Sequence, residues 1–180
     1  MDIKAKNKAF IKALKETTKD RGNCAALRRY WSPTTQCRAY PILGKLGALK
    51  NEPKTILAAL YAEHTKRGDF EVDKPKQCIG KAARQIGKDK LKKDKNHPYE
   101  AQFRRLLACN SFEDLSQQLH YLVKRLEQEQ IGLDYEQLLI NLYTWRKEDE
   151  PQKREKVKTD WAADFWQAPL ITTDQEGAET

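Results

Sequence analysis

The sequence predicts an all-α protein made of two small helical bundles joined by a basic connection. Three observations predict it. Glycine (8) and proline (7) are scarce in 180 residues, while Leu, Ala, Lys, Gln and Glu are plentiful. Apolar residues recur at helical spacing along most of the chain. No alternating strand pattern competes.

The elements follow in order. From Lys4 to Thr18, Ala5, Ala9, Phe10, Ala13 and Leu14 fall on one helical stripe, with lysines opposite. Asp20-Arg21-Gly22 breaks it, and Asn23 is placed to cap a second helix that runs to Trp31 and stops at Ser32-Pro33. Residues 40–46 form a short helix. Pro53 suits the first turn of the next, where Ile56, Leu57, Leu60 and Tyr61 make an apolar stripe. Residues 66–98 hold eleven Lys+Arg and end in KDKLKKDKNHP; only 79–86 read as a short helix there.

The C-terminal half is more regular. Tyr99–Cys109 is helical, and Ser111 with Asp114 approximates a capping box. Leu115, Leu119, Leu122, Val123 and Leu126 stripe the helix behind it. Asp134 caps the next, with Leu138, Leu139, Leu142 and Tyr143 as its stripe and Trp145 near its end. Pro151 opens a last helix, in which Trp161 and Phe165 stand one turn apart; Pro169 stops it and TTDQEGAET trails off as a polar tail. Composition divides the chain into a basic N-terminal domain (1–95), a helical bundle (96–168) and a tail (169–180).

Charge follows the same division. The net charge is +8, but residues 1–95 carry +14 and residues 96–180 carry −6. A polycationic half points to a polyanionic partner. The four cysteines, Cys24, Cys37, Cys78 and Cys109, have neither C-x-x-C nor zinc-finger spacing and read as buried thiols. Neither a metal nor a cofactor is expected. With no apolar run of transmembrane length and no apolar region near the lysine-rich N-terminus, the expected location is the cytosol.

The distinctive feature is a basic pair set between apolar anchors. In NCAALRRYW, Cys24, Leu27, Tyr30 and Trp31 share one face, Arg29 lies opposite and Arg28 on the flank. Arg104-Arg105, Lys124-Arg125 and Arg146-Lys147 repeat the theme. Helix packing holds such stems in place, so gripping a phosphate costs less entropy. The simpler alternative is that each pair finishes a helix or meets a nearby acid, as Arg125 and Glu129 would at i, i+4.

The chain resembles the CasB family, the small subunit of the type I-E CRISPR Cascade complex. The resemblance rests on NCAALRR (23–29), YPIL (40–43), CIGKAA (78–83), FRRLL (103–107), DLSQQL (114–119), LDY (133–135), LYTW (142–145) and WAADF (161–165). In that order they span roughly residues 9–166. The basic 88–98 segment and the tail are longer than the family pattern. The resemblance implies an all-helical protein of two bundle-like parts without a catalytic role. It implies two copies head to tail beside the guide RNA–target DNA duplex, with basic surfaces that hold the target and the displaced strand. Its basic positions fall on Arg29, Lys81, Arg104, Arg105, Arg125, Arg146 and Lys147; Arg28 and Lys124 join them from the pairs.

The partners implied are crRNA-guided target DNA, the displaced strand, other Cascade subunits and a second copy of the chain. Phosphate contacts suit such a role, because any target sequence must be accepted. Three other functions are weaker. Asp160 and Asp164 share a helix face but flank Trp161 and Phe165, and His64, His97 and His120 stand apart, so no nuclease site forms. No Walker, G-x-S-x-G or H-E-x-x-H motif is present. A helix-turn-helix regulator needs a base-reading helix, whereas 79–95 is dominated by lysine. An adaptor that docks its basic half on acidic proteins is the third.

Overall fold

The computed structural model describes residues 3–66, 70–88, 97–147 and 150–167. Most of the basic 88–98 segment and the polar tail lie outside the described residues. The described residues contain nine α-helices and no named strand: α1 (Ile3–Thr18), α2 (Arg21–Arg28), α3 (Tyr40–Lys45), α4 (Glu52–His64), α5 (Ile79–Gln85), α6 (Glu100–Leu107), α7 (Phe112–Gln128), α8 (Tyr135–Arg146) and α9 (Pro151–Trp166). The all-α reading holds.

The caps explain most boundaries. Ser111 Oγ accepts from Asp114 N at 3.0 Å, and Asp134 Oδ1 accepts from Gln137 N at 2.8 Å, as the sequence predicts. Pro53 and Pro151 occupy the first turns of α4 and α9. One cap is corrected. Asp20, not Asn23, starts α2: its Oδ1 accepts from Asn23 N at 2.8 Å, while the Asn23 amide reaches back to Thr17 O. The α-helix then ends at Arg28, and Arg29–Trp31 tighten into a 3₁₀ turn.

Helix α4 is the centre. Ten of its thirteen residues are buried, from Pro53 to His64, because α2, α7 and α8 surround it. An all-round apolar helix is what such a position requires. The α7 stripe is buried throughout, as expected. The α1 stripe is rotated: Ala5, Ala9 and Ala13 face solvent, and Asn7, Phe10, Ile11 and Leu14 are buried. Turning Ile11 inward covers more apolar area than turning alanines inward.

Helices from either side of residue 95 pack together. α5 lies along α9, and α4 against α7 and α8. A Cβ at Gly80 would collide with the Trp161 carbonyl, so α5 and α9 meet backbone to backbone at that point. The buried apolar residues form one cluster, running from Phe10 to Phe165. Residues 72–77 are also stitched to the α7–α8 connection. Leu133 N donates to Val72 O at 2.9 Å, Lys74 N to Leu133 O at 3.0 Å, and Tyr135 N to Asp73 Oδ1 at 3.1 Å.

One smaller reading changes. Cys24 and Cys109 are buried, but Cys78 is half-buried and Cys37 exposed. The His120 imidazole stacks flat on Trp31, with centroids 4.1 Å apart and planes 7° apart.

Candidate nucleic-acid interface

The chain reverses sharply after α1, and α2 sets out from that corner. The end of α4 arrives beside it. A cleft of about 750 Å³ forms between them. Five cations line it: Lys15 from α1, Lys19 just beyond it, Arg21 and Arg28 from α2, and Lys66 just beyond α4. Cys24 and Tyr61 contribute the apolar lining. Lys15 pairs with Asp73, and Lys19 with Glu16 at 2.8 Å. Arg21 and Lys66 make no ion pair with a described residue. Arg28 is half-buried and donates from Nη1 to Cys24 Sγ at 3.4 Å, which fixes its stem along the wall.

Arg29 takes a different direction. It is exposed, and its side chain has no partner among the described residues. Its carbonyl instead accepts from Thr35 Oγ1 at 3.1 Å. The adjacent arginines therefore serve different surfaces, and only Arg28 lines the cleft.

The remaining sequence-predicted positions divide in two. Arg105 and Lys124 are exposed without an ion pair to a described residue. The His120 imidazole, 3.8 Å from Glu63, is the larger cause holding that carboxyl below its usual range, and Lys124 and Lys66 add to it. The other five face an acid of the same chain. Arg104 donates to Glu100 at 2.6 Å and stacks on Trp166. Arg125 meets Glu129 at 2.8 Å, Arg146 meets Glu52, Lys147 meets Glu150 at 3.9 Å, and Lys81 meets Asp164 at 4.0 Å.

Sequence reasoning missed Lys15, Lys19, Arg21 and Lys66 as site residues. The i, i+4 spacing of Lys15 and Lys19 was the available signal; nothing local joins them to Lys66. Among the described residues no group of three His, Cys, Asp or Glu side chains could hold a metal ion, and no helix is long and apolar enough to cross a membrane.

Comparison with known proteins decides the family. The profile of CRISPR-associated protein Cse2 matches residues 23–166. The chain belongs to the Cse2 family. Its fold is that of solved Cse2 and CasB structures. CasB from Thermobifida fusca superposes with a TM-score of 0.67 at 22% identity, over 89% of this chain and 97% of that one. A Cse2-family protein from Thermus thermophilus gives 0.67 at 21%, over 90% and 98%. A chain of a structure described as a CRISPR RNA-guided surveillance complex gives 0.65 at 21%, over 91% and 92%. No curated protein sequence matches. Family membership agrees with the resemblance read from the motifs, and the cleft adds a basic surface that those motifs mark only at Arg28.

Proposed function

We propose that this Cse2-family protein is a non-catalytic subunit of a CRISPR RNA-guided surveillance complex that holds nucleic-acid backbone without sequence preference. The strands are the target and the displaced single strand, and the effect is to stabilise the R-loop. The observation that carries the reading is the cleft: five cations converge on it, and among the described residues no carboxylate lines it. Lysine and arginine without base-reading amides bind phosphate blind to sequence. Exchanging a DNA duplex for a guide–target duplex is close to balanced, so a few phosphate contacts are enough to tip it.

Arg28 and the cleft form one contact zone in this reading. Exposed Arg29, Arg105 and Lys124 offer further phosphate contacts outside the cleft. Lys81, Arg104, Arg125, Arg146 and Lys147 contribute only by exchanging a carboxylate for a phosphate, at a net gain smaller than that of an unpaired cation. Other subunits and a second copy of the chain are the protein partners, and the cytoplasm is the location.

R-loop formation on supercoiled target DNA tests the proposal, using a surveillance complex assembled with this subunit. Lys19→Ala with Arg21→Ala and Lys66→Ala is expected to lower R-loop yield severalfold with helicity unchanged, and Arg29→Ala with Arg105→Ala to lower it as well. Unchanged yield in a folded triple variant of the cleft contradicts the proposal. The five internally paired basic residues favour one second reading, a protein adaptor whose charges serve its own fold and its neighbours. That reading predicts no salt-dependent binding of nucleic acid.

A further inference from the structure

A second cavity, of about 420 Å³, lies away from the basic cleft, where the start of α7 meets the end of α8 and the first turns of α9. Trp145, Arg146, Arg154, Ser111 and Phe112 line it, with Glu52 at Arg146. Two of its polar atoms are anomalous. Trp145 is 4% exposed, and its Nε1–H has no acceptor among the described residues; Arg154 Nε is buried and also has none among them. Arg154 is otherwise held in place: its Nη1 donates to Asn110 O at 3.1 Å, and its guanidinium lies over the Trp145 ring at 5.6 Å. A buried donor left unpaired carries the full cost of its lost hydration. Both orphans are donors, so the missing group is an acceptor. A guanidinium beside the first turn of a seventeen-residue helix favours one that is negatively charged.

The surroundings decide which anion. Glu113 and Asp114 stand exposed on that first turn, and Glu155 pairs with Lys158 at 3.1 Å. A polymer with a phosphate at every step would run along these acids. A single carboxylate entering the cavity avoids them. We infer that this cavity receives a carboxylate of a protein partner, either an acidic side chain or a chain terminus, on Arg154 and the Trp145 indole. The inference is independent of the nucleic-acid reading.

The test is a nuclear magnetic resonance titration of the full chain, which has four tryptophans. Loss of one indole N–H signal in Trp145→Phe assigns that residue. Adding the peptide acetyl-Ala-Asp-Ala-amide, which carries one carboxylate, is expected to move the Trp145 signal downfield, and its Asn analogue to leave it in place. Arg154→Gln is expected to weaken the response about tenfold or more. Arg154→Lys, which keeps the charge but loses the fork, is expected to weaken it as well and guards against a folding defect in the first variant. A signal that stays in place at saturating peptide overturns the inference. So does one that moves with inorganic phosphate or oligothymidylate but not with peptide, which would make this a phosphate site.

Discussion

Arg28 and Arg29 are neighbours in sequence and about 100° apart around a helix, which is enough to separate their roles. Packing against Cys24 turns one into the cleft, and the 3₁₀ turn leaves the other in solvent. His64 shows the same dependence on surroundings. It is fully buried, its Nε2–H donates to Ile131 O, and Nδ1 accepts from the Tyr135 hydroxyl, both at 2.8 Å. Burial pushes its pKa down to about 4. The unfolded chain titrates near 6.5. Between these values the unfolded state binds a proton that the native state does not. Stability from this group is full above pH 6.5 and falls as pH drops towards 4, by about 2 kcal/mol at pH 5 relative to pH 7.5. Urea denaturation at the two values checks this, and equal stabilities would contradict it. The site was less legible than its residues. Basic pairs stand out because they are adjacent, whereas Lys15 and Lys66 meet only through the packing of α1, α2 and α4.

Element by element, the sequence was most legible where local chemistry decides. Ser111, Asp134, Pro53 and Pro151 announce their helices because a cap or a fixed φ acts within one turn. It was least legible where packing decides. In IKAKNKAFIKALKETT the regular alanine spacing obscures the larger apolar face that Ile11 makes with Phe10 and Leu14, and nothing local marks α4 as the helix surrounded by three others. The contact of α5 with α9 belongs to this second kind, and it rests on Gly80. Gly80→Ala is expected to cost about 1–3 kcal/mol, since the new Cβ meets backbone that cannot swing aside. Thermal denaturation of this variant checks the figure. A wild-type midpoint would show that the two helices have room to part.

Across the whole molecule, charge and packing divide the chain differently. Charge separates residues 1–95 from the rest, while the buried cluster runs through both. One consequence is that the basic cleft stands on a braced base. Its α4 wall is pressed from behind by α7 and α8, and the 72–77 segment is fastened to the α7–α8 connection. Cations mounted this way meet a phosphate with little reordering. The most direct measurement is the anisotropy of a labelled, random-sequence single strand across a salt series. It compares wild type with a Lys19→Ala, Arg21→Ala, Lys66→Ala variant whose helicity is verified. Each phosphate contact on a single strand contributes about 0.7 to the slope of log K against log salt. The account predicts a steep wild-type slope that flattens by about 2 in the variant. Equal slopes in two folded proteins would contradict it and place the phosphate contacts elsewhere on the molecule.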